Sequence, residues 1–127
     1  MTVEDAHQID VGVETAFVDE QSDPEADRYV FSYTVTISNT GQAPAKLLNR
    51  RWLITDANGK IQEVRGEGVV GEQPYLRPGE MFRYTSGTLL ETPVGTMEGE
   101  YEMIADDGSA FIVPIERFSL AIPRVLH

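Results

Sequence analysis

Along most of this chain apolar and polar residues alternate one by one, and that period of two restricts the fold more than any other feature. In residues 29–39, Phe31, Tyr33, Val35 and Ile37 fall on one face, while Ser32, Thr34, Thr36 and Ser38 fall on the other. Ile9, Val11 and Val13 share a face in the same way. Residues 47–56 form a strand around Trp52 and Ile54, and Asp56-Ala57-Asn58-Gly59 supplies a hairpin turn into residues 61–64. Further on, Phe82 and Tyr84 mark a strand over 81–85. Residues 97–103 set Met97, Tyr101 and Met103 against Glu98, Glu100 and Glu102. Asp106-Asp107-Gly108 turns the chain into residues 111–113, and 118–122 is the last candidate strand. No segment carries the i, i+3, i+4, i+7 pattern of an amphipathic helix.

Seven or eight short strands separated by turns predict an all-β chain, an antiparallel sandwich of two sheets of the immunoglobulin-like or fibronectin type III-like kind. Arg77-Pro78-Gly79-Glu80 suits a type II turn, with Pro second and Gly third. Without a low-complexity linker or repeat, residues 1–127 read as one domain. The 127 residues contain no cysteine, which removes disulfide and thiolate chemistry and favours a cytoplasmic setting. The acidic start is unlike a secretory signal, and no apolar run is long enough to span a bilayer.

Ten basic residues face twenty-one acidic ones, a net charge of −11. Binding to nucleic acid or to an anionic membrane needs clustered cations, and only Arg50-Arg51 stand together, so neither partner is expected. Asp19 to Asp27 holds five carboxylates, but an EF-hand starting at Asp23 would find Arg28 and Thr34 where Gly and Glu are required. A solvated turn is the expectation there. The two histidines, His7 and His127, have no ligand-spaced companions. Glu98, Glu100 and Glu102 read as a solvent-facing ladder rather than a glycosidase pair. No metal, cofactor or catalytic group is expected, and the chain is read as a non-enzyme.

The string Arg65-Gly66-Glu67-Gly68-Val69-Val70-Gly71 contains G-x-G-x-x-G. A dinucleotide site of that form needs a helix opening after the last glycine. Here Pro74 and Pro78 follow, each costing about 3 kcal/mol inside a helix, and Glu67 and Glu72 would repel phosphate. The glycines are therefore expected to serve backbone shape. Arg65 and Arg77 remain possible anion contacts beside the loop. Val69 and Val70 are either contact residues for a partner or an inward plug.

The stretch R-W-x-I-T-D-x-x-G, then E-V-x-G-x-G-V-V-G-x-Q-P-x-L-x-P-G, F-x-Y-T-S-G and T-P-x-G-x-M-x-G-x-Y-x-M resembles the ApaG family over nearly the whole chain. Two positions depart from the family's usual pattern: Arg51, where His is common, and Thr88, where many members carry Cys. The resemblance implies a fibronectin type III-like sandwich, an association with cobalt and magnesium resistance or efflux, and use as a protein-interaction module. The leading expectation is a non-enzymatic module that contacts a protein partner through a sheet edge or through Arg65, Gly66, Gly68, Val69, Val70, Gly71 and Arg77. The alternative is a sensor that binds a polyphosphate nucleotide or a divalent cation through the Gly66–Gly71 loop.

Overall fold

The computed structural model describes residues 7–123. Its eight strands are β1 (Ile9–Phe17), β2 (Tyr29–Asn39), β3 (Ala45–Asp56), β4 (Ile61–Glu67), β5 (Tyr75–Leu76), β6 (Met81–Leu90), β7 (Val94–Ala105) and β8 (Ala110–Ala121). They form two antiparallel sheets, one ordered β1-β2-β6 and the other β4-β3-β7-β8, with β5 paired only to the start of β3. The Asp19–Asp27 stretch becomes two single 3-10 turns between β1 and β2. Among the described residues no helix is long and apolar enough to cross a membrane.

Period-two patterning fixes which face each strand buries. Phe31, Val35 and Ile37 from β2 meet Leu47 and Trp52 from β3 and Met97, Tyr101 and Met103 from β7 in one core. Trp52 lies at its centre, edge-on to Tyr33, Tyr101 and Phe118. The three glutamates of β7 face outward, each with a partner: Glu98 with Arg117, Glu100 with Arg51, Glu102 with Asn49.

The turns follow their residues. Gly59 and Gly108 take positive φ at the ends of the β3–β4 and β7–β8 hairpins. Arg77-Pro78-Gly79-Glu80 closes with the Glu80 N–H donating to the Arg77 carbonyl at 3.0 Å, and Gly79 has φ +88. Asn39 does more than open a turn. Its buried amide donates to the carbonyls of Ala43 and Leu76, both at 2.9 Å, and pins β5 against the end of β2.

One expectation needs correction. Residues 111–113 and 118–122 are not separate strands. Pro114 lies opposite Glu100 on the edge strand β8, where proline is tolerated, and a separate register shift farther along sets Ile115 opposite Gly99 and Phe118 opposite Met97. β3 also contains a bulge: Leu47 pairs with Met103 but Asn49 pairs with Glu102. Leu48 is the extra residue, and beyond it the inward parity changes from odd to even. Leu47 and Trp52 can then both point inward, and Arg50 joins them.

The Tyr84 and Tyr101 hydroxyls share a hydrogen bond inside the core. Burial pushes the Tyr84 phenol up to about 12 and drives Tyr101 upward as well. In the unfolded chain both titrate near 10. The raised folded values mean that this contribution to stability is complete below pH ~10 and is lost as pH rises through ~12. The urea midpoint is expected to be level from about pH 7 to 9 and to fall from about pH 10 to 12. Tyr84→Phe alone should cost about 1–3 kcal/mol by orphaning Tyr101, and adding Tyr101→Phe should recover part of that loss and blunt the alkaline fall.

Candidate functional site

The two sheets differ in width, and that difference creates the site. The smaller sheet ends at β6, whereas β4 extends the larger sheet past it. Gln62, Val64 and Gly66 sit opposite Ile54, Trp52 and Arg50 and so share their inward face, yet no strand of the small sheet covers them. Val64 keeps 40% of its surface exposed. Between β4 and β6 the sandwich is therefore open along one flank.

Two connected hollows of about 270 and 400 Å³ occupy this flank. Tyr33, Arg50, Trp52 and Ser86 line both. The larger runs toward Gln62, Val64, Thr88 and Leu89, and the smaller toward Val69, Val70, Gly71 and Tyr84. Arg50 is half-buried where the two meet. Its Nη1 donates to the carbonyls of Glu67 and Gly68 at 3.1 and 2.9 Å. No carboxylate pairs with it among the described residues.

The glycine string closes one end of the flank, and each glycine has its own reason. A Cβ on Gly66 would stand 2.6–2.7 Å from the Arg50 guanidinium, so this glycine leaves room for the inward arginine. Gly68 has φ +63, and a Cβ there would overlap the Glu72 carbonyl. Gly71, at φ +82, has open space around it. Val69 and Glu72 exchange two backbone hydrogen bonds at 2.8 and 2.9 Å, and the two residues between them, Val70 (φ 45) and Gly71, are both left-handed. That is a type I′ turn. A β-branched residue at positive φ is a strained position. Val69 is fully buried and plugs the core, while Val70 is 54% exposed at the turn's tip.

The remaining predicted residues lie elsewhere. Arg65 points to the outer face, where it engages Glu63 and holds that carboxyl below its usual range. Arg77 lies one residue past Leu76, whose partner Ala45 is six positions along β3 from Arg51, the partner of Arg65. At ~3.3 Å per residue the two arginines are separated by roughly 20 Å. Arg77 rests on the Tyr75 ring instead, 5.7 Å from its centroid. They do not form a joint anion site.

A hollow of about 500 Å³ among Asn49, Arg50, Arg51, Arg65, Glu100 and Glu102 is a weaker candidate, because Arg51 is already taken by Glu100, Arg65 by Glu63 and Glu102 by Asn49. His7 stacks on Phe111, and His127 lies outside the described residues. No group of three or more metal-ligating side chains occurs among the described residues.

The sequence reading missed Arg50, Ser86 and the flank itself. The bulge at Leu48 decides which way Arg50 faces, and the alternation pattern alone does not announce it. Residues 19–105 match the family model described as the ApaG domain (DUF525).

The chain belongs to the ApaG domain family.

Curated relatives agree over the full length. Protein ApaG of Thiobacillus denitrificans is 61% identical over 121 residues, 95% of each chain. Protein ApaG of Aromatoleum aromaticum is 55% identical over 127 residues, the whole of both. Among solved structures, the ApaA protein of Bordetella pertussis superimposes with a TM-score of 0.91 at 53% identity, covering 94% of this chain and 97% of that one. Arg51, which stands where the family resemblance leads one to expect His, faces outward against Glu100 and Glu63. That departure leaves the open flank untouched.

Proposed function

We propose that this chain is a non-enzymatic interaction module, one domain over residues 1–127, that receives an extended segment of a partner protein along the edge of β6. The observation that supports this most is the poor protection of that edge. Natural sheets guard free edges with charges, proline or bulges. β4 carries Glu63, Arg65 and Glu67, and β8 carries Pro114 and a bulge. β6 has ten residues and one charged side chain, Arg83. A strand added beside it would complete the narrow sheet and cover the inner face of β4. Val70 stands at the end of the same flank, so the loop and the edge offer one continuous contact. Any link to cobalt or magnesium resistance would run through such a partner.

A polyphosphate or cation sensor finds less support. The N–H groups of Gly68, Val69 and Glu72 are spent on protein carbonyls, which leaves little of a phosphate cradle.

Affinity capture with three proteins tests the module reading. The pair Val70→Asp and Leu89→Lys alters two exposed side chains on the flank, and Ile112→Asp alters an exposed one on β8. The flank pair is expected to lose a captured protein by at least about ten-fold with its melting temperature retained, while Ile112→Asp keeps it. Equal capture by all three would count against the edge.

A further inference from the structure

We propose that the open flank also holds a binding site for a small carboxylic acid with a flat or branched apolar body, received by Arg50. This goes beyond strand addition and does not require it.

The argument starts from charge. In a chain of net charge −11, Arg51, Arg65, Arg83, Arg117 and Lys60 each lie against a glutamate. Arg28, Lys46, Arg50 and Arg77 lack such a partner among the described residues, and of these four Arg50 is the one directed between the sheets. Its Nη1 is taken up by two backbone carbonyls, and no hydrogen bond from its Nε or Nη2 to a protein acceptor occurs among the described residues. A guanidinium with one nitrogen anchored and two available is preorganised for a carboxylate.

The surroundings define the rest of the ligand. Tyr33 and Trp52 form an aromatic floor, Val64 and Leu89 are apolar walls, and Ser86 and Gln62 supply polar contacts. Trp52 is 2% exposed, and its indole Nε1 has no hydrogen-bond partner among the described residues. Buried polar atoms of that kind are uncommon. The hollows have the size of a small-ligand site. One cation suits a monoanion; a phosphate dianion needs more, and the −11 field opposes it. Arg50 also holds the Glu67 and Gly68 carbonyls, so a ligand on its guanidinium is one bond away from the turn that carries Val70.

The chain contains one tryptophan, and it lines the site, so its indole N–H resonance reports directly on occupancy. ¹⁵N-labelled protein is titrated with benzoate, benzamide and phenyl phosphate. Benzoate is expected to shift the Trp52 indole and Val70 amide signals saturably, benzamide is not, and phenyl phosphate binds more weakly than benzoate. Arg50→Gln is expected to weaken benzoate at least ten-fold, and Arg51→Gln, on the outer face, leaves it unchanged. Ser86→Leu fills the hollow without touching the charge and should also abolish the shift, which keeps the test decisive if Arg50→Gln misfolds. No Trp52 shift at tens of millimolar benzoate, equal binding by Ser86→Leu, or a preference for phenyl phosphate overturns the assignment. Retained partner capture in Arg50→Gln with benzoate binding lost separates this site from the docking edge.

Discussion

Replacing Trp52 by alanine is expected to remove about 3–5 kcal/mol of folding stability, measured by urea unfolding with far-UV circular dichroism. The side chain is 2% exposed and is surrounded edge-on by Tyr33, Tyr101 and Phe118. Its truncation leaves a cavity beside an already open flank, where water can enter and the aromatic neighbours lose their packing. Trp52→Phe should cost about half as much. Among the described residues the indole Nε1 makes no hydrogen bond that phenylalanine would forfeit, so only volume is lost. Equal losses for the two variants would mean that the indole N–H has a partner, such as a bound water, and would weaken the reading of the flank as a ligand site.

Within the glycine string the positions should separate by about 2 kcal/mol. Gly68→Ala is expected to cost about 3 kcal/mol, because the new Cβ combines left-handed strain with overlap on the Glu72 carbonyl. The Glu72 N–H and carbonyl belong to the Val69–Glu72 pairing, so relief of the overlap breaks the turn. Gly71→Ala meets only the conformational penalty, about 1 kcal/mol, since nothing lies within 4 Å of its Cβ position. Chemical denaturation of both variants, with amide exchange at Val69 and Glu72, distinguishes the cases. Matched losses would show that the turn relaxes freely.

The strands were legible because their patterning is strong. β2 spans residues 29–39, the limits of its alternation, and Gly59, Gly79 and Gly108 all mark turns that their neighbours predict. Legibility stopped where tertiary context overrides local pattern. β5 is two residues long and depends on the Asn39 amide, which no periodicity reveals. Pro114 suggests a break until the strand is known to be an edge. For the candidate site, the string from Gly66 to Gly71 was recognisable as shape rather than phosphate chemistry, and the opposite fates of Val69 and Val70 were not. A type I′ turn gives two adjacent residues different environments, and it needs Glu72 as a partner before it exists. Arg77 was grouped with Arg65 by nearness in sequence, but Arg65 lies opposite the middle of β3 and Arg77 just past its start, which separates them.

The extra residue at Leu48 also constrains how the gene can change length. Inserting one codon between those for Leu47 and Arg50, beside a bulge of one residue, would rotate everything downstream by one face. Arg51 would then enter the sandwich in place of Arg50, and the indole of Trp52 would be turned to solvent. The adjacent arginines would preserve the cation while the core lost its largest side chain. Insertions among relatives should therefore avoid residues 47–52 and collect in the Asp19–Asp27 turn, where no residue is buried.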